Sequence, residues 1–92
     1  MSIVINAKPY YDDDETPTAL FPNPARTQVT VQAEGLTQVK LFNLLGQLMR
    51  EIHVNTTNSV DIDTGKLERG VYMVEITTVN EVIVKYLILA TY

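Results

Sequence analysis

The 92-residue sequence contains no cysteine, which excludes disulfide staples, thiolate metal sites and a thiol nucleophile. The fold must therefore hold without a covalent cross-link in whichever compartment it occupies. Basic residues are few: seven lysines and arginines against eleven aspartates and glutamates leave a net charge of −4. No basic stripe with interleaved aromatics occurs, which argues against nucleic-acid binding. No apolar run reaches the roughly 18–20 residues that a membrane-spanning helix requires. The opening MSIVINAKPYY has no basic leader, long apolar segment or small-residue cleavage site, so no signal peptide is expected in this chain. Either the protein stays inside the cell or the chain is a piece of a longer one. Glycine is scarce too. Gly35, Gly46, Gly65 and Gly70 stand isolated, as turn residues and not as a phosphate-cradling loop.

What is present is a core. Hydrophobic residues make up 46% of the chain, enough for one small domain. A domain of this size buries only about 60–65% of its unfolded surface, so its stability margin is thin. Residues 1–19 read as an upstream linker or an added N-terminal strand, and residues 20–92 as the domain proper. Ser2-Ile3-Val4-Ile5-Asn6 has strand character, but Pro9 and the acidic run Asp12-Asp13-Asp14-Glu15 break it. Adjacent aspartates are hard oxygen ligands, yet a calcium loop spaces its ligands at alternate positions and bends at a glycine. That spacing is missing, and a solvated linker is the simpler reading.

From Leu20 onward the signal is repeated short strands. Val29, Val31 and Ala33 alternate with Thr30, Gln32 and Glu34, the period of a half-buried strand. Gly35 is expected to break it. Val39 to Phe42 resumes, and Asn43-Leu44-Leu45-Gly46-Gln47 reads as a tight turn. A helix through Leu41, Leu44, Leu45 and Leu48 also fits the spacing, but Gly46 would cost it about 1 kcal/mol. Leu48 to Val54 is the next strand, closed by Asn55-Thr56-Thr57-Asn58, and Val60 to Asp63 alternates again. A longer corner at 64–70 precedes strands at Val71 to Thr78 and Val82 to Leu89. Phe21-Pro22-Asn23-Pro24 punctuates the start, because each proline fixes φ and removes a donor. It reads as the turn that leads into the first strand. About seven strands at regular spacing imply an all-β fold, an Ig-like antiparallel β-sandwich with Greek-key connections. Tyr72, just after Gly70, fits a tyrosine corner, whose hydroxyl bonds back to the backbone of the preceding loop.

Chemistry finds little footing. His53 is the single histidine, and it alternates with Ile52 and Val54, so it is expected to face solvent. No nucleophile or orienting carboxylate accompanies it. Asp61 and Asp63 project from one strand face, where a solvated polar surface is the expected role. No enzyme activity, cofactor or metal is predicted.

Four segments in order resemble one family, the C-terminal sorting domains of the type IX secretion system in Bacteroidetes. They are Phe21-Pro22-Asn23-Pro24-Ala25, Val39 to Leu48 (VKLFNLLGQL), Leu67 to Ile76 (LERGVYMVEI), and Val84-Lys85-Tyr86-Leu87-Ile88. The resemblance spans residues 20–89. It implies a non-catalytic signal domain at the end of a longer exported protein, which crosses the inner membrane with its own signal peptide. An outer-membrane translocon would then recognise the folded domain and carry the cargo from periplasm to cell surface or medium. In many such cargoes a surface sortase removes the domain. Gly70 and Tyr72 match the family's late G-x-Y motif, and Lys85 matches a basic position in the last strand. These three are the partner-recognition positions that the resemblance implies; Phe21, Pro22, Asn23, Pro24 and Gly46 match its structural motifs. The chain departs from the family at its end, Leu87-Ile88-Leu89-Ala90-Thr91-Tyr92, where members often carry a further basic residue. Sheet edges also leave room for an edge-strand dimer. The competing function is an Ig-like adhesion or carbohydrate-associated module of a surface protein, which exposed aromatics at loop tips would favour.

Overall fold

The computed structural model describes residues 18–90; the expected strand at 2–6 and the acidic linker lie outside the described residues. The described residues form an all-β, antiparallel, curled sheet of five strands: β1 (Ala19–Phe21), β2 (Gln28–Asn43), β3 (Leu48–Asp63), β4 (Gly70–Thr78) and β5 (Val82–Leu89). The six strands expected within these residues become four, because two expected breaks are bends within strands, and β1 is an additional strand. Gly35 lies inside β2 with φ at +73°, and the Asn55–Asn58 stretch lies inside β3, where Thr56 has φ at +49°.

The bends compensate one another. Between the pairs Gln32↔Ser59 and Gln38↔His53 the register shifts twice, yet each strand advances six residues, so the original register resumes. Bulges on both strands sharpen the local twist without exchanging core and solvent faces beyond them. Gly35 is needed there for two reasons. Its φ suits glycine, and a Cβ at this position would lie 2.8 Å from Val79 Cγ2, while Gly35 O accepts from Val79 N–H at 2.9 Å.

Strand β2 is the hub. One of its edges carries β3 along its length; the other carries β1 at residues 30–32 and β4 from Leu36 to Asn43. Strand β5 pairs with β4 from Gly70↔Leu89 to Thr77↔Val82. After β1, the chain crosses over and meets β5 through an isolated parallel bridge, Ala25↔Leu89. The sheet thus curls round so that the segment after its first strand meets its last strand. Val29, Val31, Leu36, Val39, Leu41, Ile62, Val74, Ile76, Leu87 and Leu89 fill the inside and are almost wholly buried. Burying each such side chain contributes about 1.5–3 kcal/mol.

Candidate functional site

The site is built around β5 and the segment that clasps it. Residues alternate along β5: Leu87 and Leu89 are buried, whereas Val82, Val84, Tyr86 and Ile88 face outward with 59%, 57%, 64% and 46% of their surface exposed. This is the period-two pattern expected of a strand with one face on the core.

Phe21-Pro22-Asn23-Pro24-Ala25 precedes β2, the strand expected from Val29, but it begins with the last residue of an additional strand, β1, and both of its X–Pro bonds are cis. Its work is done on β5, far along the chain. Asn23 Nδ2 donates to Tyr86 O at 3.0 Å, and Asn23 Oδ1 accepts from Ile88 N–H at 3.0 Å. One carboxamide thus bonds a carbonyl and an amide as a neighbouring strand would. Ala25 continues the pairing: its N–H donates to Ile88 O at 2.8 Å, and its carbonyl accepts from Ala90 N–H at 2.7 Å. The prolines supply no donors here, which leaves the asparagine side chain and Ala25 to make these bonds.

The clasp also fixes which backbone groups of β5 remain open. Ile88 directs its N–H and C=O to the edge away from β4, so Val82, Val84 and Tyr86 do likewise by alternation. Of the groups on those three residues, only the Tyr86 carbonyl has a hydrogen-bond partner among the described residues. Among the described residues, a stretch of edge from Val82 to Tyr86 is therefore unpaired.

The outer face beside this edge is divided. Leu48, Phe42, Met73 and Tyr86 are successive cross-strand neighbours, and Val71 sits opposite Ile88. They form an apolar area that is half-buried or exposed. One row further along the strands, Lys40 lies between Glu51 and Glu75 and the face turns polar. The hairpin tip adjoins the apolar end, with Leu44 and Leu45 exposed, Leu45 at 85%. Asn43 holds that tip: its Oδ1 accepts from Leu45 N–H and Gln47 N–H, each at 2.9 Å. Gly46 N–H donates to Asn43 O at 3.0 Å, with Gly46 at φ +86°. The tight turn expected over these residues is present.

The three positions expected to serve recognition, Gly70, Tyr72 and Lys85, occupy different surroundings. Tyr72 is a corner tyrosine: its ring is buried and its hydroxyl donates to Glu68 O at 2.5 Å. Gly70 opens β4 at φ +142°, with nothing within 4 Å of a Cβ built there, so backbone conformation and not space favours glycine. Lys85 belongs to the inward-facing set with Ile83 and Leu87, is half-buried, and has no ion pair or hydrogen bond from its side chain among the described residues. Only Lys85 lies on β5; Gly70 and Tyr72 shape the strand beside it.

Arg69 escaped the sequence reading. Its guanidinium donates to Leu67 O, Thr64 O and Arg26 O, the last two at 2.6 Å. Five donors in a rigid fork suit a corner whose carbonyls have no strand partner, and an arginine just before Gly70 was the available signal. An open cleft of about 550 Å³ beside it is lined by Pro24, Arg26, Arg69, Gly70, Val71 and the end of β5.

The titratable groups are dispersed. His53 faces solvent, 3.0 Å from Glu51 Oε2. Asp61 accepts from Thr30 Oγ1 at 2.7 Å, and Asp63 caps Gly65 N–H at 2.9 Å. Among the described residues no group of three His, Cys, Asp or Glu side chains is arranged to hold a metal ion. No described helix is long and apolar enough to cross a membrane. Comparison with family models gives a match to the secretion system C-terminal sorting domain over residues 19–90. No curated protein gives a significant match.

Proposed function

The chain belongs to the family of secretion system C-terminal sorting domains, and from that premise we propose how its surface is read. The domain is a sorting signal for type IX secretion, and a protein carrying it is transported to the outer membrane and cell surface. Its partner is the secretion machinery. The finer reading is that the outer-membrane translocon takes hold of β5. The unpaired edge from Val82 to Tyr86 is the observation that carries it, because backbone groups already aligned in a strand accept another strand with little ordering cost. Lys85 supplies a charged contact at that edge. Gly70 and Tyr72 set the register of β4, on which β5 lies.

Several further properties belong to this proposal. The curled sheet is the Ig-like sandwich of the family, its two layers divided at the paired bends of β2 and β3. The domain does no chemistry of its own; it travels with a cargo through the periplasm and is a substrate for removal by a surface sortase. The adhesion reading has less support. Among the described residues the loop tips carry leucine, valine and asparagine, and the exposed Tyr86 sits on a strand.

The test is export of a fused reporter. Val84→Pro removes one outward N–H and no bond to β4, so the fold persists while strand addition is blocked. Lys85→Ala removes the charge alone. Export should fall strongly with the first and partly with the second, with both domains melting as the parent does. Unchanged export with Val84→Pro would reject β5-edge recognition.

A further inference from the structure

The open edge of β5 is also complementary to itself. We propose that a second copy of this chain pairs there, antiparallel, about a two-fold axis through Val84. In that register Val84 lies opposite Val84 of the second copy, and Val82 opposite Tyr86. These are the residues whose N–H and C=O groups face outward, so the pairing is of the type in which opposed residues exchange both bonds. It satisfies every unpaired group on the edge, and the Tyr86 carbonyl, already bonded to Asn23, has a second lone pair to offer. The clasp ends the ladder, because Asn23 and Ala25 occupy Ile88 on each copy.

Side chains agree with this register on both faces. On the outer face the opposed pairs are Val84 with Val84 and Val82 with Tyr86, all more than half exposed in the single chain. Aromatic and β-branched residues directly opposed across strands are favourable pairs. On the inner face Lys85, without an ion pair among the described residues, lies opposite Ile83. Its diagonal neighbours are Glu81 and Lys85 of the second copy. Two lysines flank the axis and two glutamates bracket them, so the charges balance across the seam. This balance of Lys85 and Glu81 charges favours a second copy over a foreign strand. The dimer covers the surface that recognition of β5 would need, so self-pairing and secretion would compete.

The experiment is sedimentation of the full chain over a micromolar to millimolar range. A twofold rise in mass with concentration is expected, with slower amide exchange at Val82, Val84 and Tyr86 in the dimer. Val84→Pro should stay monomeric at every concentration while unfolding in urea at the parent's midpoint. Lys85→Glu places four carboxylates at the seam and should also stay monomeric; adding Glu81→Lys restores the alternation and should restore the dimer. A parent chain that remains monomeric throughout overturns the proposal, as does a Val84→Pro or Lys85→Glu chain that dimerises like the parent. Neither result touches the export assay: a monomeric parent with failed export of Val84→Pro leaves β5 recognition standing, and the reverse leaves only the dimer.

Discussion

Asn23 shows how one side chain can complete a sheet. Its carboxamide bonds Tyr86 O and Ile88 N–H, both on a strand that would otherwise end unpaired. Asn23→Ala should cost about 1–2 kcal/mol, since each lost bond is worth about 0.5–1.5 kcal/mol. Hydrogen exchange at the Ile88 amide should quicken more than exchange at Leu87, which bonds β4. Tyr72 acts on the corner before β4, and Tyr72→Phe keeps the buried ring while losing the bond to Glu68 O. A loss of about 1 kcal/mol in urea melts is expected; coincident melts would mean that the hydroxyl bond adds nothing net. Gly35→Ala meets both a backbone at φ +73° and the Val79 methyl. It should destabilise by more than 1 kcal/mol, and adding Val79→Ala should recover part of the loss, because only the clash is relieved.

At the scale of elements, turn chemistry was legible and strand continuity was not. Asn43 and Gly46 mark a tight turn from local bonding alone, and the structure has it. Gly35 and Asn55–Asn58 carry the same turn-forming residue types, yet β2 and β3 run through them. The two bends face each other across the ladder. A single sequence does not say which distant irregularity a given one will meet. Strand β5 illustrates the converse, since its inward and outward sets follow from alternation. Leu87 is wholly buried, so Leu87→Ala should cost about 2–5 kcal/mol. Deleting the chain after Glu81 should unfold the domain, as loss of cooperative melting would report. Export lost on that deletion would therefore say nothing specific about recognition.

For the whole molecule, the decisive fact is where the sheet stops. β3, β2, β4 and β5 pair in that order, β1 pairs with β2, and the clasp after β1 reaches across to β5. Closure is partial. Among the described residues it covers Ile88 and leaves Val82 to Tyr86 open, next to an outer face with exposed valine, tyrosine and isoleucine. Exposed apolar area beside an open edge is a liability in a lone domain, and the proposed recognition of β5 would cover it.

The sequence by itself determined the all-β character, the alternation of core and surface along each strand, the tight turn at Asn43–Gly46 and the tyrosine corner. All of these rest on bonds and sterics among residues close in the chain. The motifs that place residues 19–90 in their family were legible for the same reason. Only the tertiary structure decided what Phe21-Pro22-Asn23-Pro24 does and which part of β5 stays free. Asn23 finds its partner 65 residues away at Ile88, through a pairing set by the curl of the whole sheet. Edge exposure is a property of that curl and not of any one segment, because a backbone group is open or closed according to what the rest of the chain brings beside it.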